Sequence, residues 1–374
     1  MLSTLLSPVL LSAALLAPGG ESAPAAAHGS NTFTLKAAHL RLYGNKVIAD
    51  GVVKVEDGKV TYAGDAKGAG ELGSDVIEHE GWASAGLVAA RTWSGLGGEG
   101  LEPKRPFTAE ARAADVVALG HADFARARAE GITTMVVALS PANVASGITT
   151  VVKTDGHTTL ARDGHLQLGL SSQALRSNRF PTSYAAALEL IETELAKPTG
   201  VWERVGDGEL PVYLDALSRD EISRALDLAT KHKLKGALLR APLAGELAGE
   251  IKKSGLAVVV GPFGIGTEER VLASVVSLGK ERVPVAFGLE APAVPEASLR
   301  LSAAMCVRAG LDPALAWEGM TTTAAAVAGV ASRVGKLAAG CDADIVLWSA
   351  DPLELASKVE SVFIAGVRQT GGAH

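Results

Sequence analysis

The sequence predicts an α/β protein in which an eightfold barrel of the TIM type, (β/α)8, is flanked by β-rich segments at both chain ends. Three observations predict it. Short apolar runs alternate with helical patterns through the middle of the chain, which is typical of a parallel sheet. This middle segment, residues 85–335, has roughly the 250 residues that such a barrel usually spans. Short alternating strands with turn residues surround it at residues 31–84 and 336–372.

Composition excludes several classes of function. The 374 residues are 48% apolar and 20% charged, which indicates a globular chain with a large core. The net charge of −6 argues against a nucleic-acid partner, and 4% aromatic residues are too few for a base-stacking surface. The two cysteines, Cys306 and Cys341, form no Cys-x-x-Cys pair, so a structural zinc site is not predicted. Cys306 lies in an apolar helical run and is predicted to be buried.

The first residues have the pattern of an export signal. An apolar stretch at 5–17 is followed by small residues that end in an Ala-x-Ala sequence before His28. This pattern is typical of a cleaved secretory signal, although the usual basic start is missing. Residues 1–27 are therefore predicted to be a signal peptide, and the mature protein to be periplasmic or secreted.

The barrel elements follow from apolar runs and helical periodicity. Helices are predicted over 184–197, 219–232 and 244–254, and Thr182 or Ser183 is expected to cap the first of them. Asp57-Gly58 predicts a hairpin turn in the N-terminal β-rich segment, because both residues accept a positive φ. Eight runs have the length and composition of buried strands: 87–91, 133–139, 149–153, 165–170, 211–215, 236–240, 257–261 and 283–289.

Two segments carry a family resemblance. Residues 84–95, SAGLVAARTWSG, resemble the first barrel strand of the amidohydrolase superfamily, in its imidazolonepropionase-like branch, where the pattern is Pro-Gly-Leu-Ile-Asp-x-His-x-His. Residues 334–370 resemble the closing segment of that family, including Asp-Ala-Asp-Ile-Val-Leu-Trp. The resemblance implies that both chain ends join in a small β-sandwich beside the barrel. It also implies that the family activity is the hydrolysis of C–N bonds, other than peptide bonds, in cyclic amides and imidazolones.

Family members bind zinc or another divalent metal at the ends of the barrel strands, and the resemblance locates those positions here. Each carries a different residue type, so no metal cofactor is expected. The strand 1 histidines are replaced by Arg91 and Trp93, and the strand 4 lysine by Gln167. At the later strands the replacements are Asp215 and Leu217 on strand 5, Arg240 on strand 6 and Glu290 on strand 8.

These replacements leave several interpretations open. Arg91, Asp215, Arg240 and Glu290 are predicted to meet in the barrel mouth, either as a salt-bridge plug or as a pocket for a small polar or anionic ligand. A second hypothesis is an active hydrolase with Glu290 or Asp215 as acid/base and the two arginines as oxyanion stabilisers. A third is a structural subunit of a homodimer, or a partner of an active relative. Lys153 is expected to reach the same mouth from strand 3, and Cys341 is expected to face solvent.

Overall fold

The computed structural model describes residues 31–369, apart from 45, 98, 99 and 101. The predicted signal peptide, residues 1–27, lies outside the described residues, as does the end of the segment predicted over 336–372. No helix among the residues described is long and apolar enough to cross a membrane.

One mixed sheet is built from both ends of the chain. Its seven strands lie in the order β17-β16-β15-β4-β1-β2-β3, so the C-terminal strands pair with β4 from the N-terminal segment. The strands are β1 Phe33–Arg41, β2 Val47–Glu56, β3 Lys59–Asp65, β4 Val76–Ala85, β15 Ile345–Trp348, β16 Val359–Ile364 and β17 Val367–Arg368. The division of the chain into domains at residues 84 and 336 stays a prediction.

This sheet bends around its own apolar core. Side chains such as Leu35, Val53 and Ile345 from both chain ends pack in one cluster. The Val60 amide at one edge donates to the Cys341 carbonyl beside β15, at 2.9 Å, which brings the two edges together. Cys341 is consequently 3% exposed, so the expectation that it faces solvent is wrong. The predicted hairpin turn joins β2 to β3, with φ of 48° at Asp57 and 72° at Gly58.

The middle of the chain forms the barrel. It contains ten strands, which form the barrel wall and a short hairpin attached to it. A 2.7 Å hydrogen bond from the Leu289 amide to the Arg91 carbonyl closes the ring between the last and first strands of the wall. The strands are β5 Leu87–Thr92, β6 Ile132–Val137, β7 Ala145–Ile148, β8 Thr150–Lys153, β9 Thr159–Ala161, β10 Leu166–Gly169, β11 Val212–Asp215, β12 Gly236–Leu239, β13 Ala257–Val260 and β14 Val285–Phe287.

Helices cover the outside of this ring. The helix predicted over 219–232 has those bounds, and Ser183 caps the helix predicted over 184–197 by accepting a hydrogen bond from the Ala186 amide. The predicted helix over 244–254 is a 3-10 turn followed by a short α-helix. The α-helices are α1 Ala122–Ala129, α2 Tyr184–Ala196, α3 Val201–Gly206, α4 Arg219–His232, α5 Ala248–Ser254, α6 Glu269–Lys280, α7 Ser298–Arg308, α8 Pro313–Gly319 and α9 Thr322–Val327.

The third strand of the barrel runs against its neighbours. β7 pairs antiparallel with β10, and β8 pairs antiparallel with β6 and with the hairpin strand β9, although the other barrel pairs are parallel. Lys153 therefore lies at the opposite end from the mouth, and its Nζ is 2.8 Å from Asp342 Oδ2 and 2.7 Å from Asp344 Oδ1. The expectation that Lys153 reaches the mouth is wrong, because it assumed a parallel strand.

Alternation along the strands decides which side chains enter the barrel. On β11, Val212 and Leu214 pack outward against the helices, whereas Tyr213 joins the cluster inside the barrel. Asp215, two residues on, therefore faces the interior at the carboxyl end of the strand. On β5 the pairing register shifts between Ala89 and Thr92, and Arg91 lies in this irregular stretch. The local irregularity turns the Arg91 side chain toward Glu290.

Candidate functional site

The candidate site is the carboxyl end of the barrel, where strand ends supply four charged side chains. Arg91 lies on β5 and Asp215 ends β11, while Arg240 and Glu290 follow β12 and β14. The structure joins them as two ion pairs, Arg240 with Asp215 and Arg91 with Glu290.

Arg240 and Asp215 form a two-point pair. The Arg240 Nε donates to Asp215 Oδ2 at 2.6 Å, and Nη2 donates to Oδ1 at 2.8 Å. The same Nη2 also donates to Gln173 Oε1 at 2.9 Å. Burial alone would lower the pKa of Arg240, but the hydrogen bonds and charge of Asp215 outweigh it and raise that pKa. Asp215 is fully buried with both oxygens engaged, so the pair is a fixed part of the wall.

Arg91 is held much less completely. Its Nη1 donates to Glu290 Oε1 at 3.1 Å, and its guanidinium lies over the Trp93 ring at 4.7 Å. Nε and Nη2 are buried and have no hydrogen-bond partner among the described residues. Burial is the main cause that lowers the pKa of Arg91, and the positive charge of Arg240 adds to it. Arg91 is 2% exposed, so this is a buried cation whose donors are only partly satisfied.

The other three predicted residues, Trp93, Gln167 and Leu217, are not part of the two ion pairs and differ in what they contact. Trp93 is partly buried and contacts Arg91 through its ring. Gln167 is fully buried, and its Nε2 donates to the Leu139 carbonyl at 3.1 Å rather than to the ion pairs. The Leu217 amide donates to Glu221 Oε2 at 2.7 Å. Six of the seven predicted residues thus contact one another or line one cavity, and Gln167 makes its hydrogen bond elsewhere.

A cavity of about 240 Å³ opens beside the ion pairs. Arg240 and Glu290 supply its charged wall, and Leu217, Val260 and Phe263 are among its apolar residues. Glu290 lines this cavity while its carboxylate accepts the hydrogen bond from Arg91, so Arg91 lies behind Glu290 as seen from the cavity.

Glu221 is a positioning residue that the sequence analysis missed. Its Oε2 accepts hydrogen bonds from the Leu217 and Ser218 amides, at 2.7 and 2.9 Å. Its Oε1 accepts from the Ser172 amide at 2.9 Å and from the Tyr184 hydroxyl. Glu221 thereby ties the loops after β10 and β11 together beside Asp215. The signal was present, because Ser218 and Glu221 have the spacing of a capping box, which the structure forms.

Comparison with known proteins identifies the relatives of this fold. The sequence profile of the amidohydrolase family matches residues 250–368. The imidazolonepropionase of Acidiphilium cryptum (strain JF-5) is 42% identical over 74 residues, which are 20% of this chain and 18% of that protein. An amidohydrolase from Thermotoga maritima MSB8 superposes with a TM-score of 0.79 at 21% identity, covering 90% of this chain and 98% of that one. Residues 250–368 therefore match the amidohydrolase family, and the chain shares the fold of the Thermotoga amidohydrolase.

Two further proteins are similar to a part of the chain or to its fold. The amidohydrolase tasK of Hapsidospora irregularis is 41% identical over 69 residues, which span 18% of this chain and 7% of that protein. Phenylurea hydrolase B has a TM-score of 0.61 at 12% identity over 92% of this chain and the whole of that one. The curated relatives are thus matched over less than a fifth of their length, and the solved structures show the shared barrel fold.

Amidohydrolases normally use a divalent metal, and the residues at this mouth do not fit one. A metal ion needs several neutral or anionic donors, such as imidazole nitrogens and carboxylate oxygens. Here two guanidinium groups point their N–H donors into the site, and each of the two carboxylates accepts from one of them. Within the described part of the chain, no three His, Cys, Asp or Glu side chains are grouped so that they could hold a metal ion.

Proposed function

We propose that this amidohydrolase-superfamily barrel functions without a metal cofactor and binds a small polar or anionic molecule at the carboxyl end of its strands. The proposal rests on the state of Arg91. Its guanidinium is buried, and only its Nη1 donates a hydrogen bond to Glu290. Such a group is stabilised by any ligand that brings an acceptor oxygen to it. A homodimer or a complex with an active relative stays a prediction.

Electrostatics support a site without metal. The two arginines carry the positive charge that a divalent ion would otherwise bring, and Asp215 and Glu290 balance it. A cation placed among them would face the N–H donors of two guanidinium groups, which repel it. Binding at this mouth therefore depends on hydrogen bonds from arginine rather than on coordination.

Hydrolysis of C–N bonds is the second candidate function, and one observation favours it. Glu290 lines the cavity, keeps 27% of its side chain exposed and lies 3.1 Å from a guanidinium that could stabilise an oxyanion. Asp215 is a weaker acid/base candidate, because both of its oxygens accept hydrogen bonds from Arg240. A screen of hydantoins, imidazolones and dipeptides tests this function, with Glu290→Gln as the control. Turnover that disappears in that variant would favour the hydrolase.

Elemental analysis tests the main proposal directly. The protein is purified with Zn²⁺ or Mn²⁺ in the growth medium, and carbonic anhydrase is carried through the same columns to show that a true zinc site survives them. We expect far less than one metal ion per chain, together with an unfolding temperature that neither chelator nor added metal changes. Stoichiometric metal would overturn the proposal. A thermal-shift screen of small acids, amides and imidazolones then detects ligands by the stability that they add.

A further inference from the structure

This inference rests on the proposed function and names its ligand class. We infer that the mouth takes a small monocarboxylic acid with an apolar body, and that the ligand carboxylate replaces Glu290 on Arg91. The two arginines at the mouth are paired unequally.

Arg240 donates two hydrogen bonds to its carboxylate partner, whereas Arg91 donates one. Asp215 accepts from two nitrogens of Arg240, the geometry in which guanidinium and carboxylate bind most strongly. Glu290 accepts from Nη1 of Arg91 alone, at 3.1 Å, and the neighbouring Nη2 has no partner in the described ranges of the chain. A carboxylate placed end-on at Arg91 would engage Nη1 and Nη2 together. An incoming acid can therefore form one more charge-assisted hydrogen bond than Glu290 does.

The charges of the mouth favour a monoanion over a dianion. Two cationic and two anionic side chains meet in the mouth, so their formal charges sum to zero. Exchange of the Glu290 carboxylate for a ligand carboxylate keeps one anion on Arg91, while Glu290 turns into the cavity that it already lines. A neutral ligand offers Arg91 no charge and so cannot take the place of Glu290, whereas a monoanion adds one negative charge to the mouth and a dianion adds two.

The cavity defines the rest of the ligand. Beyond Arg240 and Glu290, its wall is largely apolar, with Leu217, Val260 and Phe263 among the contributors. Its volume of about 240 Å³ lies below the roughly 300–1,000 Å³ of pockets for drug-sized ligands. Trp93 stacks on the guanidinium of Arg91 and holds it in place, so little side-chain freedom is lost when a ligand binds. A short branched or aromatic acid matches these features.

Calorimetric titration of benzoate tests the inference, with benzamide as the uncharged analogue of the same shape and inorganic phosphate as the competing oxyanion. We expect benzoate to bind at least tenfold more tightly than benzamide or phosphate, because only benzoate supplies a monoanionic carboxylate. Isobutyrate serves as an aliphatic second probe.

Two Glu290 variants separate displacement from a mere change of charge. Glu290→Gln removes the competing carboxylate, and Glu290→Asp keeps its charge but shortens the side chain so that it no longer reaches Arg91. We expect both variants to bind benzoate about tenfold more tightly than the natural chain. Tightening in the Gln variant alone would mean that charge, not occupancy of Arg91, controls binding, and it would overturn the displacement. Arg91→Met is expected to abolish benzoate binding; if it fails to fold, the pair of Glu290 variants still decides the question.

Failure of this inference can be told apart from failure of the proposed function. Benzamide or an imidazolone that binds as well as benzoate would overturn the carboxylate ligand and leave a metal-free polar site. Absence of benzoate and isobutyrate binding in the natural chain and in both Glu290 variants would also overturn it. Stoichiometric metal in the purified protein would instead overturn the proposed function itself.

Discussion

Arg240 holds Asp215 through two parallel hydrogen bonds at the carboxyl end of the barrel. The carboxylate is fully buried, and 14% of the arginine side chain is exposed. Two charges so placed stabilise each other only while both are present, since either alone is a desolvated ion. The pair therefore fixes the two neighbouring strand ends in a way that depends on both residues.

Substitution of Arg240 or Asp215 alone should lower the free energy of unfolding much more than substitution of both. Arg240→Met leaves Asp215 charged and buried, and we expect a loss of about 3–5 kcal/mol in the free energy of unfolding. The double variant Asp215→Asn with Arg240→Met should recover a large part of that loss, because no buried charge then remains. Urea unfolding of the natural chain, both single variants and the double variant gives the coupling energy. Losses that simply add would contradict a buried, mutually dependent pair.

Local elements of this fold were predictable, and the direction of one strand was not. The α4 helix has its predicted bounds because its capping box and apolar periodicity are both encoded in residues 218–232. The run 149–153 was identified as a strand, but its apolar pattern is the same in either direction. Its reversal depends on antiparallel pairing with β6, which a local pattern does not encode. Lys153 was misplaced for that reason alone.

The candidate site was predictable as a set of positions but not as a set of partners. Strand-end residues of a barrel meet at one mouth, so the resemblance was enough to bring Arg91, Asp215, Arg240 and Glu290 to the same region. Which arginine binds which carboxylate depends on side-chain geometry, and so does the incomplete pairing of Arg91. Cys341 was misjudged because its burial arises from the closing of the sheet edges, which no local pattern encodes.

Lys153 should contribute to stability without contributing to the mouth. It is 1% exposed and pairs with Asp342 and Asp344 at the end of the barrel that faces the mixed sheet. Lys153→Met should lower the free energy of unfolding by about 3 kcal/mol, because it leaves the buried Asp344 carboxylate without a cation, although Asp342 keeps Lys59 and Arg333. Adding Asp344→Asn to this variant should restore part of the lost free energy of unfolding. Benzoate affinity measured by calorimetry should stay the same in both variants; a large change would place Lys153 near the ligand and contradict the reversed strand.

Residues 1–27 should direct export. A fusion of residues 1–31 to alkaline phosphatase, which needs an oxidising compartment for its disulfides, is expected to be active in a bacterial host. Leu10→Arg with Leu11→Arg interrupts the apolar run and should abolish that activity, while the fusion protein still accumulates. Equal phosphatase activity with and without these substitutions would contradict the predicted signal peptide, and mass spectrometry of the mature chain would locate the cleavage site.

His165 should make the protein less stable as the pH falls toward 4. Its ring is buried in the barrel, stacks on Tyr213 at 3.8 Å and is 2.8 Å from the Val327 carbonyl through Nε2. Burial lowers the pKa of His165 from 6.5 to about 4. Between these values the unfolded chain binds a proton that the folded chain does not, so the free energy of unfolding decreases by about 3 kcal/mol as the pH falls from 6.5 to 4.

His165→Gln isolates this contribution, because the amide can still donate to the Val327 carbonyl but does not titrate. The variant is less stable than the natural chain near neutral pH, since it loses the ring stacked on Tyr213. As the pH falls, the free energy of unfolding of the natural chain decreases because of His165, and this contribution is missing in the variant. The difference in the free energy of unfolding between the two proteins should therefore shrink by about 3 kcal/mol. Urea unfolding at closely spaced pH values measures the gap. A gap that stays constant from pH 6.5 to 4 would mean that His165 takes up its proton equally in the folded and unfolded chains, and would contradict its buried neutral state.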